Sequence, residues 1–504
     1  MKVLSVIPQS FNDLKKILKQ RHETDLIELR LDNINFNDLI SFNFDSIFSS
    51  MPLILTLRSK QEGGFFSEGE EKRIQLIKKI INSENKRIEF IDLEHSIQEN
   101  TLKKLIESAA EKNKKIILSS HNLKKAFSKQ ELKKKFLEMK KFNAEVIKII
   151  GTASKLTDNL ILIDLLKELN QKKNQQKVSL ALMAEKGQPS RILGALFGNY
   201  LTYCALNEES LTASGQITLK ELNEFYVLER FKEFPKLFSV IGNPVKHSKG
   251  NIIHNLAMIN QKINGLYIKL FVDDLHDFFI FFNELNFSGA SITSPHKEAV
   301  IPFLDSLDPL AEKIQSVNTI ARENGKLKGF NTDCFGAINS LKELTELKGK
   351  KVALIGAGGA ANAVAFGLKK EKSNLTIVNR DEFKGRKLAE ENNAKFLSLK
   401  EFQEKEKLEF DVIINATTIG MTPNINESLI KKSQLNENQI VFDLIYSPPE
   451  TKLLKEAKEA GCKTINGFRM LVLQAAKQFE LWHKKPAPIE LMQKILNEIF
   501  EAKK

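Results

Sequence analysis

Cysteine is almost missing from this chain: Cys204, Cys334 and Cys462 are the only three in 504 residues, an odd number set far apart. That pattern gives neither the spacing of a zinc cluster nor a disulfide framework, so each is expected to be a reduced, partly buried residue, and no metal is expected. No apolar stretch reaches the roughly 18 residues that span a bilayer, and the N-terminus lacks a secretory pattern. The chain is therefore expected neither to span nor to cross a membrane and to work in the cytoplasm. Short-period repeats and low-complexity linkers are absent too. Acidic residues are outnumbered, 63 against 76 Lys and Arg, for a net charge of +13. The lysines fall at helix-surface spacing without interleaved aromatics or a recognition motif. The excess therefore fits solubility and small anionic ligands, and no nucleic-acid partner is expected. Monomer and homodimer both stay open.

What is present is a chain too long for one core, so two or three domains are expected. Its first half carries apolar runs of strand length ending on charged residues or histidine: VLSVIP from Val3, DLIELRLD to Arg30 and Asp32, PLILTLR to Arg58, IEFIDLE to Glu94, KIILSSH to His121, EVIKII around Lys148, then VSLALMAE. Strands alternating with helices predict a parallel sheet. A (β/α)8 TIM barrel brings the C-terminal strand ends to one rim, so these scattered residues converge there. The pattern closes with a strand near Asn199 to Leu206 and the loop LTASGQIT, which places the barrel over 1–222 and an ordered linker, including the helix-like LKELNEFYVLERF, up to Pro235. An α/β substrate domain follows over 236–340. At Lys351 the run KVALIGAGGAANAVAFGLKKE reads as strand, glycine turn and helix, opening a Rossmann domain over 341–475, with 476–504 as helices returning to the substrate domain.

Lys148 lies within VIKII, where desolvation is expected to lower its pKa and make the amine nucleophilic toward a ketone. His121 suits proton transfer near neutral pH, with Glu94 or Asp92 fixing its tautomer. Arg30, Arg58 and Arg191 offer paired donors to a carboxylate, with Glu28 and Asp32 holding them. Taken singly, each has a plainer structural reading: a snorkelling lysine, a structural histidine, a rim of ion pairs. Together, ELRLD, TLRSKQEGG, IDLE, SSHN, VIK, PSRILG and TASGQ, in this order over residues 1–222, resemble type I 3-dehydroquinate dehydratases. The resemblance implies an imine between Lys148 and 3-dehydroquinate, proton transfer by His121 and orientation of His121 by Glu94. It also implies substrate binding by Glu28, Arg30, Arg58, Arg191 and Gln216, with Thr212 where the bacterial pattern has serine.

In the second half GAGGAA (Gly356, Ala357, Gly358, Gly359, Ala360, Ala361) is a dinucleotide fingerprint, and its strand and helix supply the required context. The next strand ends at Asn379 and Arg380, where an arginine suits a 2′-phosphate, so NADP (NADPH) is expected, with Lys384 and Arg386 adding charge. Lys297 and Asp333 can pass a proton to or from a carbinol oxygen. GNPVKHS, SITSPH, SVNT, GFNTD, NATTIGM, YSPPET and NGFRMLVLQ, over about residues 236–504, are similar to shikimate dehydrogenases. That resemblance implies Lys297 and Asp333 as the catalytic pair and shikimate binding by Ser248, Thr293, Asn318, Tyr446 and Gln474. It implies a cofactor side lined by Asn415, Thr417, Met421, Leu444 and Gly467. The usual HSxSP has become His247-Ser248-Lys249-Gly250-Asn251, which removes one donor to the substrate carboxylate and is expected to open space near C1, where quinate carries an extra hydroxyl. Quinate oxidoreduction, or a half without catalysis that serves as a scaffold, are the alternatives to sequential dehydration and reduction.

Overall fold

The computed structural model describes residues 1–171 and 176–501. They divide into two compact units, residues 1–235 with 270–286, and residues 236–269 with 287–504.

In the first unit eight parallel strands alternate with helices: β1 (Lys2–Val6), β2 (Leu26–Arg30), β3 (Leu53–Thr56), β4 (Ile88–Glu94), β5 (Lys115–His121), β6 (Val146–Thr152), β7 (Lys177–Met183) and β8 (Thr202–Ala205). Their order, β7-β6-β5-β4-β3-β2-β1-β8, is that of a barrel sheet. Its two edges meet through a side chain. Asn199 Oδ1 accepts from Leu180 N at 2.8 Å and its Nδ2 donates to Leu180 O at 2.7 Å, beside a bond from Tyr200 N to Val178 O at 2.8 Å. The Asn199 amide thus stands in for a peptide at the seam.

Side chains on a strand alternate faces, so inward positions recur every second residue. Val3, Leu26, Ile54, Phe90, Ile117 and Val146 form an apolar layer. Two residues further along each strand come Ser5, Glu28, Thr56, Asp92, Ser119 and Lys148, all buried and all polar. Two further again, Arg30, Arg58, Glu94 and His121 approach the strand ends. An apolar floor thus carries a polar layer, and the polar layer carries the site. After β8, the stretch expected as one helix is instead a π-helical turn, Glu221–Tyr226, and a separate 3-10 turn, Leu228–Arg230. Val227 between them adopts φ +42°, which no helix continues through.

The second unit holds two six-stranded sheets. One is mixed, with Lys236–Gly242 parallel to Gly289–Ile292 and Thr319–Glu323 antiparallel to the latter. The other is parallel throughout. Its strand Lys351–Ile355 is flanked by Asn374–Asn379 on one side and Val412–Asn415 on the other, the point where strand order reverses and α/β sheets bind ligands. Lys351–Ile355 buries both its faces, Val352 and Leu354 in one apolar cluster, Ala353 and Ile355 in another. Residues Gly467–His483 form one continuous helix, capped by the Asn466 side chain on Phe468 N, so 475/476 is not an element boundary. Among the described residues no helix is long and apolar enough to cross a membrane.

Candidate active sites

The rim of the first unit encloses a cavity of about 250 Å³ lined by Glu28, Arg30, Arg58, Glu62, His121, Lys148, Arg191, Tyr203 and Thr212 among others. Lys148 is 5% exposed, but its surroundings are not apolar: Nζ lies 3.4 Å from Glu28 Oε1, 3.3 Å from Asp92 Oδ2 and 4.0 Å from the centroid of the Tyr203 ring. Glu28 also accepts from Ser5 at 2.5 Å and Thr56 at 3.0 Å, so it serves the lysine and holds none of the arginines. Asp92 is held below the usual carboxylate range; burial alone would raise it, but Arg58, Lys148 and the Ser119 hydrogen bond together outweigh burial.

The three arginines divide. Arg58 is committed to its own protein, donating to Asp92 at 2.8 Å, Ser119 at 2.8 Å and Glu94 at 3.4 Å, and so organises carboxylates rather than awaiting one. Arg30 is bidentate on Asp32 at 2.8 and 2.9 Å, as expected. Arg191 is different: it is 6% exposed, among the described residues its Nε has no partner, and burial lowers its guanidinium to about 10. A desolvated, unpaired guanidinium facing a cavity is a receptor for an anion. Gln216 does not line the cavity; its Oε1 accepts from Thr212 N at 2.9 Å and Thr212 Oγ1 at 3.1 Å, so it positions Thr212, which does.

His121 shows the largest departure from expectation. Glu94 does not reach it; Glu94 accepts from Ser59 N at 2.8 Å and pairs with Arg58 and Arg73. The partner of His121 Nδ1 is Glu62 Oε2, at 2.9 Å. Glu62 stands on the short 3-10 turn Lys60–Glu62, after the strand rather than on it, followed by Gly63 at φ +83°. Strand-end periodicity therefore gave no signal for it, although Glu62 lies inside the quoted TLRSKQEGG. Burial, then the Glu94 charge, push Glu62 up to about 7. Burial, then Arg58 and Lys148, press His121 well below 6.5, so its imidazole is neutral. While ionised, Glu62 can only accept at Nδ1, and the proton is then on Nδ1 and the lone pair on Nε2.

In the second unit Lys297 Nζ lies 2.6 Å from Asp333 Oδ2. Lys297 stands on the turn His296–Ala299 and Asp333 opens the helix Asp333–Lys342. Asn318 Nδ2 donates to Thr332 Oγ1 at 2.9 Å and approaches Gln474 Oε1 at 3.4 Å, bringing Asn318 and Gln474 together with Thr332, a neighbour of Asp333 missed in the sequence. Thr293 packs on Gly242, and Tyr446 is half-buried, with burial raising its phenol. The space at Gly250 is not simply open: a Cβ there would meet the Tyr267 hydroxyl at 3.1 Å.

The glycine turn fits a dinucleotide. Gly356 has φ +118° and approaches Ala416 O; a Cβ on Gly358 would meet nothing within 4 Å, and one on Gly359 would lie 3.9 Å from Lys297 Cδ. The turn thus leaves an open cradle at the start of the helix Gly359–Lys370, beside Lys297. On its flank Asn415 Oδ1 accepts from Thr417 N and Oγ1, and Asp443, unforeseen in the sequence, holds Asn415 at 3.1 Å and Thr451 at 2.6 Å. Gly467 allows backbone contact with Leu444, whereas Met421 is exposed. Asn379 donates to Asp381 O at 2.8 Å. Lys384 and Arg386 pair with Asp381 and Glu382, and Arg380, exposed, is the uncommitted cation of this strand end among the described residues.

One chain thus carries a carbonyl-handling α/β barrel and a dinucleotide-dependent oxidoreductase fold. Family models match in the same order: type I 3-dehydroquinase over residues 3–232, shikimate dehydrogenase substrate-binding domain over 240–320, shikimate/quinate 5-dehydrogenase over 339–464 and the shikimate 5′-dehydrogenase C-terminal domain over 467–496. The chain is 34% identical to the chloroplastic bifunctional 3-dehydroquinate dehydratase/shikimate dehydrogenase of Arabidopsis thaliana, across 98% of this chain and 83% of that protein. It belongs to that bifunctional family. Its second half is 42% identical to the NADP(+) shikimate dehydrogenase of Methanocaldococcus jannaschii, covering 51% of this chain and 94% of that one. Among solved structures, a shikimate dehydrogenase in complex with NADP+ matches at 40% identity and TM-score 0.51, covering 53% of this chain and 96% of that one. One from Listeria monocytogenes in complex with shikimate and NAD matches at 33% and 0.50, covering 53% and 98%.

Proposed function

We propose that the chain performs two successive reactions, dehydration of 3-dehydroquinate to 3-dehydroshikimate through an imine on Lys148, and reduction of that ketone to shikimate with NADPH. The observation that carries the first is a buried lysine beside a histidine whose Nδ1 is committed to a carboxylate, under an unpaired arginine. Glu28 or Asp92 takes a proton from Nζ, and the amine adds to the ketone carbon. The C–N bond forms and the carbonyl oxygen leaves as water, placing positive charge on the imine nitrogen. His121 removes the neighbouring C–H proton as its electron pair flows into that charge. The resulting enamine returns the pair and expels the β-hydroxyl, which departs as water with the proton His121 gives back. Hydrolysis frees Lys148. Arg191, with Arg30 and Thr212 at the rim, holds the substrate's carboxylate and hydroxyls.

In the second unit the fingerprint turn holds the nicotinamide nucleotide, which supplies hydride when bound. Lys297 gives the proton to the carbonyl oxygen and is paired with Asp333 for that purpose. Ser248, Thr293, Asn318, Tyr446 and Gln474 orient the ring, and Arg380 meets the 2′-phosphate. Three unpaired cysteines support the cytoplasm as the compartment. Borohydride added with 3-dehydroquinate is expected to trap an adduct on Lys148, located by peptide mass; a Lys148→Ala protein that dehydrates at the normal rate refutes the imine.

A further inference from the structure

Arg191 meets the lyase cavity with no partner on its Nε among the described residues, so its place is set by the backbone that carries it. That backbone is the first turn of the helix Gln188–Leu196, where Gly187 stands in the capping position without a side chain to offer. The Ser190 N–H, one residue before Arg191, is among the donors that a helix start leaves orphaned. A distant residue takes it. Asn159 Oδ1 accepts from Ser190 N at 3.0 Å, while its Nδ2 donates to Leu156 O at 2.8 Å and Lys186 O at 2.7 Å. Carbonyl oxygens only accept, so the amide has a single orientation, and it is fully buried. Asn159 belongs to the first turn of the helix Asp158–Gln171, which follows β6, the strand of Lys148. One side chain thus ties the segment after the lysine's strand to the start of the arginine's helix.

The segment is itself held. Asp277 Oδ2 accepts from Leu156 N at 2.6 Å, and its Oδ1 from Thr157 N at 3.2 Å and Thr157 Oγ1 at 2.6 Å. Asp277 is buried and lies in residues 270–286, which are part of the first unit although they come after Pro235 in the sequence. A carboxylate there faces the N-terminal donors of a helix, the end that favours negative charge. Lys186 repeats the tie, its Nζ donating to Ser154 O at 2.8 Å and pairing with Asp273 at 2.8 Å. Neither Asn159 nor Asp277 lines the cavity, so neither acts on substrate directly. We propose that Asn159 is a positioning residue for dehydration, holding Arg191 at a fixed distance from Lys148, with Asp277 as the anchor of the segment on which Asn159 stands. This deepens the reading of Arg191 as the receptor of the substrate carboxylate and rests on it. The lyase then depends on a carboxylate from beyond its own barrel sequence.

The test is steady-state dehydration of 3-dehydroquinate by the full-length protein, arranged as a double-mutant cycle with Arg191→Gln. Asn159→Ala is expected to raise KM about tenfold with kcat within about threefold, and to leave shikimate oxidation within about twofold of wild type. In the Arg191→Gln background the same substitution is expected to change KM by less than about twofold, because the side chain it positions is gone. Asp277→Asn, which turns one accepting oxygen into a donor at constant shape, is expected to raise KM about threefold and to lose that effect beside Arg191→Gln. It carries the cycle alone if Asn159→Ala does not fold. A KM left unchanged by these variants while Arg191→Gln raises it overturns the positioning, and so does an effect that persists in full beside Arg191→Gln or an equal loss of both activities. If Arg191→Gln itself keeps the wild-type KM, the reading of Arg191 fails and the positioning falls with it.

Discussion

Glu62→Gln separates the structural account of the lyase site from the one that strand periodicity suggests. Glu62 Oε2 meets His121 Nδ1 at 2.9 Å and His121 N at 3.1 Å, while its Oε1 accepts from Ser96 at 3.0 Å. Its carboxyl is raised from the usual 4.5 to about 7, burial first and the Glu94 charge second, against the pull of Arg58. His121 is depressed, so in the neutral range the group that gains a proton as pH falls is Glu62. Once protonated it no longer receives the Nδ1 proton as an anion, and the base loses its orientation. One pH unit below the midpoint about one tenth remains ionised, so dehydratase kcat/KM is expected to fall roughly tenfold per unit below about pH 7. In Glu62→Gln that limb disappears and the plateau drops by roughly 10- to 100-fold, since a hydrogen bond to a charged group is worth about 1.5–3 kcal/mol. Stability moves the other way. A carboxyl whose folded value lies above its unfolded one destabilises the protein once ionised, by about 3 kcal/mol here at pH 8 and little at pH 5. The variant is therefore expected to melt higher than wild type at pH 8 and by a much smaller margin, just under about 1 kcal/mol, at pH 5. Rates from the absorbance of the conjugated product between pH 5.5 and 8.5, with calorimetry at both pH values, measure this. A flat wild-type profile, or a Glu62→Gln enzyme that keeps its acid limb, refutes the reasoning. Glu94→Gln keeps the limb but moves it to lower pH, since the Glu94 charge is one of the causes that raise Glu62.

Arg380→Ala removes the uncommitted guanidinium at the end of the fingerprint's second strand and is expected to raise KM for NADPH about tenfold while changing that for NADH little, by parallel titrations of both cofactors. Arg191→Gln takes away the unpaired guanidinium of the lyase cavity and is expected to raise KM for 3-dehydroquinate about a hundredfold, a charged hydrogen bond being worth about 1.5–3 kcal/mol. Asn199→Ala leaves both the N–H and C=O of Leu180 without partners at the barrel seam, a loss of about 2–4 kcal/mol. A denaturant midpoint unchanged in that variant shows that the seam closes by other means.

How far the sequence could be read follows from where each group sits. Period two on short apolar runs fixes which residues point into the barrel, so Lys148, His121, Glu28, Arg30 and Arg58 are assignable to one rim, whereas Arg191 stands on the helix Gln188–Leu196, outside that rule. The same rule is blind to a residue on a turn, and Glu62 is one. It also cannot say which of several inward carboxylates touches which cation, because that depends on the stagger between strands. Asp92 and Glu94, two apart on β4, serve Lys148 with Arg58 and Ser59 with Arg73 respectively, and neither reaches His121. In the second unit, motif order brought out Lys297 and Asp333, while Asp443, which holds Asn415 and Thr451 from a neighbouring strand, carries no motif of its own.

The polar layer of the barrel also explains how a lysine is held at 5% exposure. Two carboxylates contact its Nζ, and each is anchored in turn, Glu28 by Ser5 and Thr56, Asp92 by Ser119 and Arg58. Removing one member strands its partner's charge, so the layer behaves as a unit. Substituting Thr56 by Val, which deletes a single donor to Glu28 at almost constant volume, is therefore expected to disturb Lys148 at one remove. A slower borohydride trapping rate with shikimate oxidation unchanged is the result that supports this coupling. Equal trapping rates in the variant and wild type place Glu28 under the control of Ser5 and Lys148 alone.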